Sequence, residues 1–205
     1  MTFSLQSSIS VKIRDLACVR GGRMVFAGLN ADVGAGECLA VTGPNGAGKT
    51  SLLRILADLL PAFSGAVTIR PAGDPALKHF LAYGDGLKAA LTLRETLSFW
   101  STLYAGEESD GVITRAAERV GLGHALDLPC GVFSAGQRRR AGLARLLLAP
   151  RPLWLLDEPG SALDSAGEVL LGELMAEQIA AGGVIVAATH QPLPLTNAKI
   201  LRMAQ

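Results

Sequence analysis

An eight-residue segment near the start of the chain limits the available folds more than any other feature. Residues 43 to 50, GPNGAGKT, have the pattern G-x-x-x-x-G-K-[ST] and lie between the apolar run Cys38–Val41 and a stretch of helical period. Glycines allow successive backbone N–H groups to close around an anion, and the first turn of the following helix adds partial positive charge. The pattern therefore predicts a phosphate-binding loop between a buried strand and a helix.

The last residues of this loop supply the cation and the oxygen ligand that a nucleoside triphosphate needs. We expect Lys49 to reach the terminal phosphates and the Thr50 hydroxyl to bind Mg²⁺. A merely glycine-rich turn is the alternative, and the strand and helix on either side argue against it. The predicted phosphate-contacting residues are Gly43, Pro44, Asn45, Gly46, Ala47, Gly48, Lys49, Thr50 and Ser51.

Two carboxylates follow the apolar run Leu153–Leu156, which has no alternation and is typical of a strand covered on both faces. Buried carboxylates are costly unless they organise a cation or a water molecule. We expect Asp157 to hold Mg²⁺ through water, and Glu158 to polarise the water that attacks the γ-phosphate. The alternative is a solvated strand end, because apolar strands often finish with an acidic residue.

Apolar runs alternate with stretches of helical period along most of the chain, as in a mostly parallel sheet covered by helices. This pattern predicts an α/β fold. The predicted strands are Cys38–Val41, Ala66–Ile69, Phe80–Tyr83, Leu153–Leu156 and Val184–Thr189, and the predicted helices of the sheet region are Lys49–Leu60 and Gly136–Leu148.

The segment from about residue 87 to 135 has helical patterns without a convincing strand. Thr92-Leu93-Arg94-Glu95 is a capping box that opens a helix towards Tyr104, and a second helix is predicted from about Asp110 to Val120. We therefore predict a single domain, residues 1–205, with a helical subdomain at about 87–135 that packs on the sheet.

Composition restricts the class of protein. The 205 residues carry 19 Lys and Arg against 18 Asp and Glu, and 49% are hydrophobic, which indicates a well-cored soluble chain rather than a disordered or nucleic-acid-binding one. The three cysteines lack the spacing of a zinc site or disulfide framework, which favours a reducing cytosol. The Arg138–Arg140 run is interpreted as a solvated helix face beside the nucleotide.

Further segments resemble the ATP-binding-cassette (ABC) ATPases. Phe133–Arg139, FSAGQRR, resembles the LSGGQ signature, with Phe for Leu and Ala for the first Gly. Ser161-Ala162-Leu163-Asp164 resembles the D-loop, and His190, after the strand Val184–Thr189, resembles the switch histidine. The resemblance extends from about residue 11 to 193 and implies a P-loop NTPase core.

This resemblance implies that two chains form a head-to-tail, ATP-dependent homodimer. ATP would lie between Lys49 of one subunit and Ser134 of the other, where Gly136 and Gln137 complete the signature. His190 would contact the γ-phosphate and steady the attacking water. The alternative for Ser134 is an ordinary helix cap, and a lone histidine at a strand end such as His190 is usually a polar surface residue.

Two residues that the family has are missing. No glutamine occurs between Gln6 and Gln137, so the glutamine expected after Phe80–Tyr83 is replaced by Gly84, for which Asp85 is the candidate substitute. The aromatic residue that stacks on adenine in many relatives is also missing near Val19. The candidates to hold adenine are Arg20, Arg23 and Phe26.

Shorter strings resemble the ATP-binding subunits of the bacterial haem exporter of cytochrome c maturation: VRGGR at 19–23, GLK at 86–88, LTLRETLSFW at 91–100, the signature, and THQPL at 189–193. That resemblance implies a peripheral subunit on the cytoplasmic side of the cell inner membrane, bound to integral membrane subunits. ATP hydrolysis would drive release of the loaded haem chaperone. The alternatives are another ABC transporter ATPase, a non-transport ABC regulatory or interaction protein, and a small-molecule kinase.

Overall fold

A computed structural model describes residues 9–72, 77–84, 86–106 and 109–204. Asp85, the candidate substitute for the missing glutamine, lies outside the described residues. In chain order the elements are β1 (Ser10–Arg20), β2 (Arg23–Gly34), β3 (Cys38–Thr42), α1 (Lys49–Leu56), β4 (Ser64–Arg70), β5 (Lys78–Leu81), α2 (Leu93–Ala105), α3 (Asp110–Arg119), α4 (Ala135–Ala144), β6 (Leu153–Asp157), α5 (Ser165–Ala180), β7 (Val184–Ala188) and β8 (Lys199–Arg202).

The central sheet is parallel and has the strand order β5-β6-β7-β3-β8. Every residue of β6 and β7 is buried, in agreement with apolar runs that lack alternation. The predicted parallel sheet is therefore confirmed. Parallel strands place their carboxyl ends at one edge, so the segments that follow β3, β5, β6 and β7 meet there.

A second sheet, which is antiparallel, has the order β2-β1-β4. The sequence predicted neither β1 nor β2, and it predicted β4 without its antiparallel pairing. The β1 ladder shifts register between Ile13 and Leu16, where Asp15 has a left-handed φ of 45°. This irregularity breaks the alternation of buried and exposed residues by which a strand is recognised.

Two apolar clusters lie on opposite faces of the central sheet. Leu153 and Leu155 of β6 pack with α1 and the antiparallel sheet, whereas Trp154 and Leu156 pack with residues of α2 to α5. Successive side chains of one strand thus serve two cores, which places the sheet between two layers.

Helices occupy much of the segment predicted as a helical subdomain. The capping box is confirmed: Glu95 N–H donates to Thr92 Oγ1 at 3.1 Å, and Thr92 N–H donates to Glu95 Oε2 at 2.8 Å. Between residues 87 and 135, the described part of the chain has one isolated β-bridge, from Thr92 to Pro129, and no strand. The subdomain boundaries stay a prediction.

The two predicted helices of the sheet region end earlier than expected. Helix α1 stops at Leu56, because the chain reverses at Asp58, which has a φ of 58°. Helix α4 stops at Ala144, and residues Arg145–Leu147 continue as a tighter 3₁₀ turn. Across the described residues, no helix has the length and apolar character needed to cross a membrane.

His79 is buried in β5 among groups that disfavour its charged form. Its Nε2 lies 2.8 Å from the carbonyl oxygen of Ala149, and its ring packs edge-on against Tyr104. The pKa of His79 is lowered from 6.5 to about 4, mainly by burial and in part by the positive charges of Arg151 and Arg145, against the raising effect of the Ala149 hydrogen bond. The folded chain therefore prefers neutral His79.

We expect acid to destabilise the fold through His79. His79 binds a proton near pH 6.5 in the unfolded chain and near pH 4 in the folded chain. The stability that neutral His79 contributes is therefore fully present above pH 6.5 and is lost as the pH falls towards 4. The free energy of unfolding, measured in urea, should fall by about 1 kcal/mol between pH 7.5 and 5.5 on this account. The variant His79→Gln should lose this slope, and the exposed-site control His124→Gln should retain it. Equal slopes in the two variants would contradict the assignment.

Candidate functional site

At two positions, Gly43 and Gly48, the loop after β3 leaves no room for a side chain. Gly48 caps α1 with a left-handed φ of 94°, and a Cβ atom there would lie 2.6 Å from Val25 Cγ1 and 2.8 Å from Phe26 Cδ1. At Gly43, a Cβ atom would lie 2.4 Å from the carbonyl oxygen of Met203. The loop is therefore held tightly between β2 and the segment after β8.

Lys49 lies within this loop. Its side chain is buried, and its Nζ donates to the carbonyl oxygens of Gly43 at 2.8 Å and Pro44 at 3.2 Å. These contacts hold the ammonium group against the loop that the sequence predicts to bind phosphate. The phosphate contact of Lys49 stays a prediction.

A hydrogen bond joins the loop to the end of β6. Thr50 Oγ1 donates to Asp157 Oδ2 at 2.9 Å, although the residues are 107 positions apart. Asp157 is 2% exposed, and burial raises the pKa of its carboxyl group, against the lowering effect of the Thr50 hydrogen bond. A cation would relieve this burial penalty, and hydroxyl and carboxylate oxygens are the ligands that Mg²⁺ prefers. The predicted metal ligands therefore fit Mg²⁺.

Glu158 and His190 meet beside this pair. His190 Nδ1 lies 2.8 Å from Glu158 Oε2, and the His190 N–H donates to the same oxygen at 3.3 Å. The Glu158 N–H donates to the carbonyl oxygen of Ala188 at 2.8 Å, which ties the end of β6 to β7. Glu158 and His190, two of the three predicted catalytic residues, thus form one hydrogen-bonded pair; the third is Lys49.

These groups line a cleft of about 770 Å³ at the carboxyl edge of the parallel sheet. Gly43 and Pro44 contribute to it indirectly, through the carbonyls that bind Lys49, and the side chain of Ala47, within the loop, is buried. The predicted site residues that line the cleft are Asn45, Gly46, Gly48, Lys49, Thr50, Ser51, Asp157, Glu158 and His190.

The three candidate residues for adenine binding differ in burial and in whether they line the cleft. Phe26 is buried under Gly48, so it supports the loop and presents no free ring face to a base. Arg20 and Val25 line the cleft, whereas Arg23 is not among the lining residues. Gly84, aligned with the missing glutamine, also lines the cleft, next to the exposed Tyr83.

The signature residues lie outside this cleft. Ser134 and Gln137 form a reciprocal capping box: Gln137 N–H donates to Ser134 Oγ at 3.2 Å, and Ser134 N–H donates to Gln137 Oε1 at 2.9 Å. A Cβ atom at Gly136 would lie 3.1 Å from the carbonyl oxygen of Ala162, so α4 begins against the D-loop-like segment. Within one chain, Ser134 does not line the cleft that contains Lys49.

Sequence reasoning missed Arg139. It was interpreted as part of a solvated helix face, but it is 4% exposed and donates to backbone carbonyls at the ends of β5 and β6. The signal was present in the spacing, because Leu143 and Leu146 follow it at i+4 and i+7 and are both buried.

Comparisons with known proteins agree with this geometry. The family described as "ABC transporter" matches residues 26–161. The chain is 50% identical over 185 residues to the cytochrome c biogenesis ATP-binding export protein CcmA of Rhodopseudomonas palustris (strain BisB5), which covers 88% of this chain and 91% of that protein. It is 43% identical over 208 residues to the protein of the same description from Paramagnetospirillum magneticum, which covers 97% and 96% respectively.

Solved structures resemble the fold. A putative ABC transporter ATP-binding protein from Pyrococcus furiosus superposes with a TM-score of 0.82 at 22% identity, covering 95% of this chain and 97% of that one. A bacterial Atm1-family ABC exporter with ATP bound gives a TM-score of 0.81 at 21% identity, covering 95% of this chain and 37% of that one.

We expect Gly48→Ala to damage the loop more than a left-handed glycine elsewhere. The new methyl group adds close contacts with Val25 and Phe26 to the strain of a positive φ, so unfolding free energy should fall by about 2–4 kcal/mol. Gly182→Ala is the matched control, because Gly182 has a φ of 81° with no atom within 4 Å of its Cβ position. Urea unfolding measures both, and equal losses would show that close packing at Gly48 contributes nothing.

Proposed function

Because the chain belongs to the ABC transporter family, we propose that it is the ATP-hydrolysing subunit of the haem export complex of cytochrome c biogenesis. The observation that carries the proposal is identity of about one half, over about nine tenths of both chains, to proteins named as ATP-binding export proteins of this process. The local geometry of the cleft supports the chemical step.

In the proposed reaction, the loop after β3 binds the β- and γ-phosphates through backbone N–H groups and Lys49. Thr50, and Asp157 through water, would hold Mg²⁺, which would supply positive charge that offsets the phosphates. Arg20 and Val25 lie where a base can enter the cleft. A guanidinium plane can stack on adenine in place of the missing aromatic ring.

Glu158 polarises the water that attacks the γ-phosphorus. Its carboxylate accepts a proton from that water as the bond to the β–γ bridging oxygen breaks, and ADP and phosphate result. His190 holds the carboxylate through one oxygen and leaves the other available to the water. We assign the γ-phosphate contact to His190, whose side chain is partly exposed to the cleft.

Two chains would complete two such sites as a head-to-tail homodimer. Ser134 is exposed at the start of α4 and lies outside its own chain's cleft, which supports the proposal that Ser134, Gly136 and Gln137 contact a nucleotide held by a second copy. To change the ratio of closed dimer to open form from 1:99 to 99:1, ATP must favour the closed dimer by about 5.5 kcal/mol. Hydrolysis removes the γ-phosphate that joins the subunits, and the dimer reopens.

Membrane association would come through integral membrane subunits of the exporter, on the cytoplasmic side of the inner membrane. Helix α2 supports such a contact, because Phe99 and Leu103 lie four residues apart on it and are each 60% exposed. Side chains at this spacing share one helix face. The helical subdomain proposed for about 87–135 would transmit closure of the dimer to those partners.

We expect Lys49→Ala and Glu158→Gln to separate binding from hydrolysis. Loss of the Lys49 ammonium should weaken ATP binding at least about tenfold and abolish hydrolysis, since it removes a direct charge on the phosphates. The amide of Glu158→Gln cannot take a proton, so kcat should fall at least about a hundredfold while ATP remains bound.

Phosphate release and fluorescent-nucleotide binding measure the two effects, with Lys12→Ala on the exposed face of β1 as the control. Unchanged turnover in both Lys49→Ala and Glu158→Gln would overturn the assignment of an ATPase.

We expect the double variant Phe99→Ser, Leu103→Ser to lose its membrane subunits while it retains basal ATPase activity. The exposed pair would supply apolar contact area to those subunits, and neither residue lines the cleft. Co-purification from detergent-solubilised membranes, followed by identification of the integral partner, measures this loss. Val169→Ser, on the exposed face of α5, is the control.

A non-transport ABC regulatory or interaction protein is the second candidate, favoured by Gly84 at the position of the missing glutamine. That alternative predicts no integral membrane protein in the wild-type preparation and little ATP turnover.

A further inference from the structure

The guanidinium group of Arg139 lies at the point where three parts of the chain meet. It donates to the carbonyl oxygens of Ala82 at 3.0 Å, Asp157 at 2.7 Å, Glu158 at 2.7 Å and Pro159 at 3.0 Å. All four acceptors are backbone groups next to the cleft. Because Arg139 belongs to α4, it ties the helix that begins at Ser134 to the backbone that carries Asp157 and Glu158.

The backbone conformation at Glu158 requires stabilising contacts of this kind. Its φ of 49° lies in the left-handed region, which a residue with a side chain adopts rarely and retains only where its surroundings hold it. Here the Glu158 N–H donates to Ala188, the Glu158 carbonyl accepts from Arg139 and from the Ser161 N–H at 3.0 Å, and the carboxylate is bonded to His190. Among these partners, Arg139 is the side chain that also binds the carbonyls on either side of Glu158.

We propose that Arg139 is a positioning residue, which holds residues 157–159 in the strained conformation that directs the Glu158 carboxylate into the cleft. The inference rests on the proposed ATP hydrolysis. Arg139 is not among the residues that line the cleft around Lys49, so it acts through Glu158 and not on the nucleotide bound by its own chain.

Arginine suits this position for a geometric reason. Its planar guanidinium group presents donors along several edges at once, so one side chain reaches carbonyls from both β5 and β6. A lysine ammonium retains the charge but offers three donors from a single atom, and it cannot span the same carbonyls. Arg139→Lys therefore tests the arrangement of the guanidinium donors rather than the charge.

The experiment compares Arg139→Lys with Arg145→Lys. Arg145 is also a buried arginine, just beyond α4, but its guanidinium lies 3.6 Å above the Trp100 ring and donates to Tyr104, away from the cleft. We expect Arg139→Lys to lower kcat at least about tenfold, with KM and nucleotide affinity changed by less than about twofold. Arg145→Lys should lower the thermal midpoint of unfolding comparably and leave kcat within about twofold.

A double variant separates positioning from general loss of structure. If Arg139 acts through Glu158, adding Arg139→Lys to Glu158→Gln should reduce single-turnover hydrolysis by less than about twofold more. Arg139→Gln, which removes the charge and whose single NH₂ group reaches only as far as the arginine Nε, provides a second readout should Arg139→Lys fail to fold, with the same pattern expected.

Three outcomes overturn the inference: an unchanged kcat in Arg139→Lys, an equal loss of kcat in Arg145→Lys, or a full tenfold further loss in the double variant. In each of these the wild-type chain still hydrolyses ATP, so the proposed function stands. Wild-type protein that binds no ATP and hydrolyses none would overturn the proposed function, and the inference with it.

Discussion

The hydrogen bond from Thr50 to Asp157 depends on the topology of the parallel sheet, and the site depends on that bond. Strands β3 and β6 are not neighbours, since β7 lies between them, yet their carboxyl ends open at the same edge. A hydroxyl at the start of α1 therefore reaches a carboxylate 107 positions later. Because β7 separates the two strands, the segment after β7 brings His190 to Glu158 within the same cleft.

The sequence was most informative where the local pattern and the tertiary environment coincide. Strands β6 and β7 are buried on both faces, so continuous apolar runs located them, and the glycine pattern of the loop located the cleft. Strand β1 was missed because Asp15 and the register shifts around it interrupt the alternation of an antiparallel strand. Strand β8 has four residues, too few for a period to be recognised.

The candidate site also contains residues that a local pattern predicts and residues whose role depends on tertiary contacts. The residues from Gly43 to Thr50, and the pair Asp157 and Glu158, form local patterns whose chemistry can be deduced without a structure. Phe26 was a plausible adenine contact from its position along the chain, but its burial under Gly48 arises from a contact between β2 and the loop. No local pattern encodes such a contact. Arg139 was misinterpreted because charge was given more weight than its helical spacing to Leu143 and Leu146.

Three consecutive arginines of α4 contact three different parts of the chain. Arg138 donates to the carbonyl oxygens of Leu87 and Cys130, Arg139 to those around Glu158, and Arg140 to the Asp164 carboxylate, which caps α5. Successive helix residues point about 100° apart, so one short helix can contact the helical region, the end of β6 and the D-loop-like segment together.

A helix held on three sides cannot move alone. In the proposed dimer, the nucleotide of the second copy meets α4 at Ser134, at the free end of this helix. Any displacement that follows must also shift the carbonyls of residues 157–159 or break their bonds to Arg139. Arg139 thus links the signature surface of one chain to the proposed catalytic carboxylate of the same chain, and in the proposed dimer hydrolysis in one composite site would depend on occupancy of the other.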